Sequence, residues 1–526
     1  MPWPNSKIAM NKLLQFKYLP ILVLLMVNLF AGLIIVRDYG QSWDEPGVYN
    51  YGEYALKAYR SLFHPQSLPD FNGGATHSSD LNYYGPSYFI IATLLSKVLL
   101  KLVSSWTTII AWHVVNFITF QIGVMIFYLL AKRWMSNIAS FGATLLFAAQ
   151  PLFWGHAFIN PKDIPFAIFF LASIYSGLKM MDSQSVPKSM LVLLAGIILG
   201  MTNSFRVAGI FAGLLVFLYG ISKAPRNAIV TAIPYFLVAA LASYLTWPYL
   251  WGAPFQHYLE SVRYLSKFPF DQAVLFAGKL YPAEHLPWNY FPTLLLLQLT
   301  EPLLILAAVG VGISFWRFVK GQREPLSIFL LLFLLPTTAI IFSGSTLYDN
   351  GRQLFFLLPP LFIVAGVALD ELFSRFNQTR VIILMMVLII LPSIIPMIQL
   401  HPYEYIYYNS FIGGTERASR NFETDYWGTS FKDAAHYLNA VAPYKSSVAI
   451  FGPLYVFQNY ARPDLRLYNN NNLNTQKMHY TYAVVLSTQL NLDEHDCPNG
   501  QVIVTISQGG AILAAIKKLP ARTPCN

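Results

Sequence analysis

Long apolar runs alternate with short segments rich in Lys and Arg over the first 400 residues of the chain. A helix of about 20 residues, rising roughly 1.5 Å per residue, crosses the hydrocarbon core of a bilayer. The pattern therefore predicts a polytopic α-helical membrane protein with about eleven spans, at residues 18–36, 109–131, 138–154, 164–180, 190–203, 207–222, 228–246, 302–319, 326–342, 354–369 and 381–398.

One further apolar run, residues 86–100, is short and carries Lys97 and Lys101 at its end. Counting it as a span would move most later Lys and Arg clusters to the outside, against the bias of basic residues towards the cytoplasm. We therefore expect this run to lie in the outer interface. The first span follows three lysines and has no small-residue cleavage site, so we expect it to be retained, with a cytoplasmic N-terminus.

Hydropathy drops after residue 400, which divides the chain into a predicted transmembrane domain, residues 1–400, and a predicted C-terminal domain, residues 401–526. Residues 448–451, 482–487 and 502–506 have the composition of strands, and residues 431–441 have that of a helix. We expect a small extracytoplasmic α/β domain.

The two cysteines of the chain, Cys497 and Cys525, both lie in this C-terminal part. A pair confined to an extracytoplasmic domain is compatible with one disulfide, and two free buried thiols are the alternative. The single Asn-x-Ser/Thr triplet begins at Asn377, on the predicted cytoplasmic side. The predicted outer surface thus has no glycosylation acceptor, which favours a bacterial source.

The composition supports the membrane assignment, since 55% of residues are hydrophobic and only 11% are charged. A soluble globular domain has about a quarter charged residues. The net charge of +10 comes from basic residues spread through short loops, without a patch interleaved with base-stacking aromatics. This distribution argues against nucleic acid as a partner.

Ionisable residues concentrate in the predicted outer loops rather than inside the spans. The pair Asp44 and Glu45 follows the first span closely, where a charge is costly unless it is paired or used. A transporter typically places ionisable groups near the bilayer midplane. An outer cavity that combines carboxylates with cations is suited to a group-transfer reaction. A carboxylate can act as the base that activates a hydroxyl, and the cations can stabilise a departing phosphate. The other polar residues of these loops are His156, Lys162, Asp163, Arg206, His257, Glu260, Arg263, Glu284, His285, Asp349 and Arg352.

Several motifs in this order resemble those of the GT-C superfold of membrane glycosyltransferases. They are the acid pair, the run 83–86 (YYGP), the run 155–166 (GHAFINPKDIPF) and Arg206 with Gly209; the runs 401–405 (HPYEY) and 423–428 (ETDYWG) resemble bacterial members. The closest resemblance, over roughly residues 18–370, is to glycosyltransferase family 39, the protein O-mannosyltransferase and aminoarabinose transferase group. It implies a polyprenyl-phosphate-linked sugar as donor and an aspartate of the first loop as base.

Carried onto this chain, the resemblance makes Asp44 the general base of an inverting transfer. Glu45 would orient the acceptor or a cation, or serve as an acid at a helix start. Lys162 and Asp163 would flank the donor phosphate, although Asp163 is also suited to cap a helix. The remaining candidates for donor binding are Arg206 and Arg352, which could instead bind a lipid headgroup at the membrane interface. His156 and His285 are also candidates, and each could instead make only ordinary hydrogen bonds.

One departure from the family is His113, which stands where many relatives have an arginine early in the second span. No metal motif is evident, and a lipid monophosphate needs less charge neutralisation than a nucleotide diphosphate, so metal dependence is doubtful. The sequence thus predicts a transferase of the plasma membrane, acting on an envelope glycan, lipid or protein. The rival hypothesis is a transporter or flippase of a lipid-linked saccharide. Sugar, acceptor and oligomeric state stay open.

Overall fold

We describe the protein from a computed structural model, which covers residues 18–61, 80–183, 188–321, 324–469, 479–487, 492–520 and 525. The adjacent glycines Gly73 and Gly74 predict a turn, and they lie outside the described residues. Within them, seven helices are long and apolar enough to cross a membrane: Thr108–Ala131, Asp163–Asp182, Lys188–Phe205, Pro225–Thr246, Glu301–Val319, Leu326–Ser343 and Thr379–Leu400. The protein is therefore a multi-pass membrane protein.

Two further spans are formed by bent helix pairs, if each pair is taken as one crossing. Asn137–Ala148 and Pro151–Ile159 meet at 59°, and Asp349–Leu357 and Pro359–Ser374 meet at 62°. Proline begins the second helix of each pair, where it cannot donate the backbone hydrogen bond that would continue the first. The first pair contains His156, and the second contains Asp349 and Arg352.

Two shorter apolar helices, Leu19–Ile35 and Val207–Lys223, complete the helical part. The eleven predicted apolar segments coincide in order with the long helices, the bent pairs and these two shorter helices. The polytopic helical class is confirmed, whereas the number of crossings stays a prediction, because the described helices give seven, or nine with the bent pairs, by length and composition.

The polar and aromatic composition of residues 37–84 predicts a long loop between the first two apolar segments. The structure differs, because this stretch contains the helix Glu45–Ser61. Apart from Val48, its buried apolar face consists of small and aromatic residues of weak hydropathy: Tyr51, Gly52, Ala55 and Ala58. The helix packs against Ser87–Leu102, the short apolar run described above.

Both ends of Ser87–Leu102 lie near the end of the bundle that carries Asp44. Ser87 donates a hydrogen bond to the carbonyl of Met201, late in Lys188–Phe205, at 2.8 Å. Just beyond the other end, Ser105 accepts from Arg37 at 3.5 Å. This geometry is compatible with an interfacial helix, and its membrane placement stays a prediction. The remaining elements of this side are the helices Pro254–Ser266 and Tyr290–Gln298 and the hairpin Ala273–Phe276 and Lys279–Pro282.

The C-terminal part contains the predicted small α/β region. Its five strands lie in the sheet order Arg466–Asn469, Ser447–Phe451, Tyr482–Leu486, Ala511–Lys518 and Gln501–Gln508. The first three are parallel and the last two join antiparallel. The helices are Gly414–Ala418, Phe431–Val441, Leu454–Gln458 and Leu492–His495. Cys497 and Cys525 are joined by a disulfide, which confirms the bonded alternative.

The packing changes near residue 430 rather than at residue 401. Buried side chains between Tyr403 and Trp427 belong to the same hydrophobic core as the membrane helices. A separate core begins at Phe431 and includes Val448 and Val484 of the sheet. Residues 401–430 therefore connect the two cores. The predicted domain boundary between residues 400 and 401 stays a prediction.

Candidate active site

Six charged side chains that are distant in sequence converge at one end of the helical bundle. Each lies at or near a helix end, where the chain leaves the apolar environment and can present a polar group. The cluster contains three carboxylates and three cations: Asp44, Asp163, Asp349, Lys162, Arg206 and Arg352.

Asp44 is the most accessible carboxylate of this cluster, with 23% of its side chain exposed. Its Oδ2 lies 3.4 Å from Nζ of Lys162 and 3.2 Å from Nη2 of Arg352. Burial raises the pKa of Asp44, but Lys162 and Arg352 outweigh it, so the pKa lies below its ordinary value. The carboxylate is therefore ionised at neutral pH, as a group that accepts a proton must be.

Lys162 is charged under the same conditions. Burial lowers the pKa of its ammonium group, but Asp44 and then Asp80 outweigh this effect and raise it. Only 12% of its side chain is exposed. The pair of Asp44 and Lys162 thus presents one acceptor and one cation to the same space.

Asp163 holds the two arginines of the cluster and is itself buried. Its Oδ2 lies 2.5 Å from Nη1 of Arg352, and its Oδ1 accepts a hydrogen bond from Nη2 of Arg206. Asn160 donates a third bond to Asp163 at 3.0 Å. Asp163 is the first residue of its helix, where the helix dipole favours a negative charge. Asp163 is not the N-cap of this helix: that position is Lys162, and Asn160 accepts hydrogen bonds from the backbone N–H groups of Lys162 and Asp163. The capping role considered for Asp163 is therefore wrong, and its carboxylate binds the arginines instead.

Arg352 follows an unusual backbone turn. Asp349, Asn350 and Gly351 have φ values of 47°, 57° and 67°, in the left-handed region that disfavours residues with a Cβ. Such conformations persist where the surroundings hold them, and they cluster at functional sites. Nε and Nη2 of Arg352 lie 3.0 and 2.9 Å from Oδ2 of Asp349. The turn and this carboxylate together orient the guanidinium group.

Aromatic rings cover the cations. The guanidinium carbon of Arg352 lies 4.7 Å from the ring centre of Trp427, and that of Arg206 lies 5.6 Å from Tyr84. Nζ of Lys162 lies 5.7 Å from the same tyrosine ring. These distances fall within the range of cation–π attraction. Tyr84 of the motif YYGP and Trp427 of the motif ETDYWG therefore line the site.

Glu45 does not face this cluster, although it is adjacent to Asp44 in sequence. Its carboxylate is fully buried and accepts hydrogen bonds from the backbone N–H of Ser42 and the hydroxyl of Tyr49, both at 2.6 Å. Nε2 of His113 lies 2.9 Å from it. The histidine that departs from the family pattern thus contacts Glu45. This geometry favours the alternative in which Glu45 is an acid at a helix start. It also favours a role for His113 in binding Glu45 rather than a phosphate.

The two other histidine candidates differ in position. His156 is buried beneath the cluster, with Nδ1 3.0 Å from Nδ2 of Asn160 and Nε2 3.0 Å from the hydroxyl of Tyr426. It supports Asn160, which in turn binds Asp163. His285 is exposed and lies outside the six-residue cluster. The structure thus brings together Asp44, Lys162, Asp163, Arg206 and Arg352, with His156 behind them.

Asp349 belongs to the cluster, although the motifs did not predict it as a site residue and it stood only among the other polar residues of the outer loops. The signal was the sequence Asp349-Asn350-Gly351, whose residue types tolerate left-handed backbone. Among the described residues, no group of three or more His, Cys, Asp or Glu side chains is arranged to hold a metal ion.

Comparison with known proteins identifies the class of the helical part. Residues 20–235 match the family described as dolichyl-phosphate-mannose-protein mannosyltransferase. The match covers less than half of the chain, and it confirms the resemblance to this glycosyltransferase family inferred from the motifs. The matched residues include Asp44, Lys162, Asp163 and Arg206. Among curated proteins, none is similar enough in sequence to count as a match.

Three solved structures of glycosyltransferases are similar at low sequence identity. ArnT from Cupriavidus metallidurans, bound to undecaprenyl phosphate, is 13% identical, with 94% of this chain and 97% of that chain covered and a TM-score of 0.48. The oligosaccharyltransferase of Archaeoglobus fulgidus, in complex with Zn and sulfate, is 14% identical, with coverages of 87% and 67% and a TM-score of 0.49. The arabinofuranosyltransferase AftD from Mycobacteria is 12% identical, with coverages of 94% and 40% and a TM-score of 0.46.

Proposed function

We propose that the protein is an inverting glycosyltransferase that moves a sugar from a polyprenyl-phosphate donor to a hydroxyl acceptor at the outer face of a bacterial plasma membrane. The observation that carries this proposal is the contact of Asp44 with both Lys162 and Arg352. A partly exposed base stands directly beside cations suited to phosphate. The family match supports a lipid-phosphate donor, since its printed name specifies one.

In the proposed reaction, the acceptor oxygen forms a bond to the anomeric carbon of the donor sugar. The bond from that carbon to the phosphate oxygen breaks, and the leaving phosphate takes the electron pair. The acceptor proton passes to Asp44. Attack from the face opposite to the leaving group inverts the configuration. The donor supplies the activated sugar, so this scheme uses no further cofactor.

The cations would bind the phosphate and stabilise the charge that it gains. Arg352 and Arg206 present planar groups that match phosphate oxygens in pairs, and both contact Asp163. Asp163 is accordingly a positioning residue that sets the two guanidinium groups side by side. Lys162 would contribute a single, more mobile positive charge. His285 has no place in this proposal, because it lies outside the cluster.

The proposed orientation rests on the charges at the opposite end of the bundle. There, basic residues outnumber acidic ones in the described loops, as the bias towards the cytoplasm requires. The N-terminus would accordingly be cytoplasmic and the C-terminal region extracytoplasmic, with an envelope glycan, lipid or protein as acceptor. The described basic residues at this end are Lys132, Arg133, Lys179, Lys188, Lys223, Arg226, Arg317, Lys320, Arg375 and Arg380, against Asp182, Asp370 and Glu371.

The decisive experiment compares wild-type protein, Asp44→Asn and Asp271→Asn in liposomes. Donors would be polyprenyl-phosphate-linked hexoses and pentoses with a labelled sugar, and acceptors would be envelope extracts of a deletion strain. We expect Asp44→Asn to lower the transfer rate by a factor of about 10² to 10⁴ while donor binding persists. Asp271 is exposed and outside the cluster, so its variant controls for the chemical change.

Full transfer by Asp44→Asn would refute the proposed mechanism. Movement of labelled lipid between leaflets by wild-type protein, without transfer of its sugar, would favour the rival transporter. Mass spectrometry of envelope lipids and glycans from the deletion strain would identify the acceptor.

A further inference from the structure

The segment that carries Asp44 is held by the C-terminal part of the chain. We define the base loop as residues 38–44, between the helices Leu19–Ile35 and Glu45–Ser61. The backbone N–H of Trp43 donates to the carbonyl of Trp427 at 3.0 Å. The hydroxyl of Tyr455 donates to the carbonyl of Trp43 at 2.9 Å. Both backbone polar groups of the residue before Asp44 are therefore bound by C-terminal residues.

A second set of contacts lies two residues earlier. The N–H of Gln41 donates to the hydroxyl of Tyr460 at 2.9 Å, and its side-chain oxygen accepts from Asn459. Gly40 packs so closely that a Cβ there would lie 2.3 Å from the carbonyl oxygen of Thr429. The base loop thus fits the C-terminal surface along its length rather than at one point.

The opposite side of the base loop is held by the helical part. The hydroxyl of Ser42 donates to the carbonyl of Ile159 at 2.8 Å, and its N–H donates to Glu45. Residues on both sides therefore fix the backbone that leads to Asp44. The backbone N–H of Gln41 and the backbone groups of Trp43 would lose the partners named above without the C-terminal residues.

Trp427 connects the base loop with a phosphate-binding candidate. Its carbonyl binds Trp43, while its ring covers the guanidinium group of Arg352 at 4.7 Å. The side chain is 2% exposed. The turn that presents it is fixed by Asp425, whose carboxylate accepts from the N–H groups of Thr429 and Ser430, both at 2.9 Å. One rigid residue thus sets the spacing between the base and Arg352.

We infer that the C-terminal region positions Asp44 for proton transfer, with Tyr455 and Tyr460 holding the backbone of the base loop and Trp427 tying it to Arg352. This inference rests on the proposed function and assigns positioning roles that the motifs alone did not. Displacement of a reacting group by about 1 Å can cost roughly 100-fold in rate. Hydrogen bonds remote from the substrate therefore affect the chemical step more than donor binding.

The test uses full-length protein in liposomes with Tyr455→Phe, Tyr460→Phe and the double variant. Each substitution removes one hydroxyl and keeps the ring. Tyr444→Phe is the matched control, because Tyr444 is 74% exposed in the same region and lies outside the contacts of the base loop. We measure kcat and KM for the labelled donor and hydrogen–deuterium exchange of a peptide covering the base loop.

We expect kcat to fall by about 5-fold in each single variant and by 10-fold or more in the double variant, with KM for the donor unchanged within about 2-fold. The base-loop amides should exchange faster in these variants and not in Tyr444→Phe. Unchanged exchange, an unchanged kcat, or a loss that Tyr444→Phe shares would each overturn the inference. If wild-type protein transfers no sugar, the proposed function fails, and the exchange rates still decide whether the C-terminal region holds this loop.

Discussion

Arg352 and Asp163 form the central contact of the site, with Nη1 and Oδ2 2.5 Å apart although 189 residues separate them in sequence. The contact joins the turn at the end of one bent helix pair to the first residue of a long helix. Because Arg352 also reaches Asp44 and Asp349, whereas the ion pair of Arg206 is with Asp163, the two arginines should differ in importance.

Replacement of Arg352 should weaken donor binding and slow the chemical step together, since the phosphate is charged before the reaction and gains charge during it. Arg352→Lys should recover only part of the activity of the wild type, because the charge remains and the paired geometry is lost. Arg206→Ala should have the smaller effect. Transfer rates measured against donor concentration separate kcat from KM.

Arg375→Ala is the control for these variants, because Arg375 is 70% exposed and forms a surface pair with Glu371. Such pairs contribute about 0–1 kcal/mol to stability. Wild-type kinetics in Arg352→Lys, Arg352→Ala and Arg206→Ala would remove both arginines from the site and leave the fold unaffected.

The pH dependence of transfer should report the effect of Lys162 on Asp44. The proposed reaction needs ionised Asp44, and the depressed pKa of Asp44 means that ionisation is lost only as the pH falls below the ordinary value of 3.8. Lys162→Met removes a cause of the depression, so the acidic limb of kcat/KM should move to higher pH. The direction follows because a group with a raised pKa binds its proton at higher pH.

Lys97→Met provides the control for this shift, because Lys97 forms a half-exposed pair with Glu53 away from the cluster. Its profile should coincide with that of the wild type. An acidic limb in Lys162→Met that is unmoved, or moved to lower pH, would show that another group governs the profile.

Glu45, the buried neighbour of Asp44, should affect the stability of the protein more than the rate of transfer. We expect Glu45→Gln to lower the free energy of unfolding by about 1–3 kcal/mol, since its partners Ser42, Tyr49 and His113 lose a charged acceptor. Its kcat should fall by less than about 10-fold, well short of the loss expected for Asp44→Asn. Thermal unfolding and transfer assays on the same preparation give both values.

Glu53→Gln is the matched substitution, because Glu53 lies on the same helix and 45% of its side chain is exposed. It should cost less than about 1 kcal/mol. A loss of transfer in Glu45→Gln as large as in Asp44→Asn, at unchanged stability, would place Glu45 in the chemistry.

The placement of Ser87–Leu102 can be tested with single introduced cysteines, because the two native cysteines are bonded to each other. A membrane-impermeant maleimide should label Arg60→Cys and Lys101→Cys in intact cells, since both residues are exposed on the side of Asp44. Lys320→Cys should react only after permeabilisation. Labelling of Arg60→Cys and Lys101→Cys from opposite sides would make the helix a span.

Local chemistry made the helical part and most of the cluster predictable. Long apolar runs locate the helices, and motif positions located Asp44, Lys162, Asp163, Arg206 and Arg352. The separation of Asp44 from Glu45 was not predictable, because it depends on His113, which lies 68 positions from Glu45 along the chain. The helix Glu45–Ser61 was missed since its buried face uses small and aromatic residues of weak hydropathy.

The roles of the C-terminal aromatic residues also required the folded chain. Tyr455 and Tyr460 lie 412 and 419 residues from the loop residues that they bind, and Trp427 is similarly distant in sequence. Their contacts are to backbone groups, which leave no side-chain pattern in the partner sequence. The donor-binding role of His285 stays a prediction, since this residue is exposed and lies outside the six-residue cluster. The position of a polar residue in an outer loop indicates on which side of the membrane it lies, but it does not indicate whether the residue is near the site.

The balance of three carboxylates against three cations has a consequence for turnover. A glycosyl phosphodiester would bring one negative charge to an electroneutral site, whereas the lipid phosphate left after transfer carries about 1.5 to 2 negative charges near neutral pH. The spent carrier should consequently be retained more strongly than the fresh donor. For a transferase of the proposed kind, exchange of one lipid for the next would limit the cycle. An excess of free polyprenyl phosphate in the membrane would then slow the enzyme by occupying its cations.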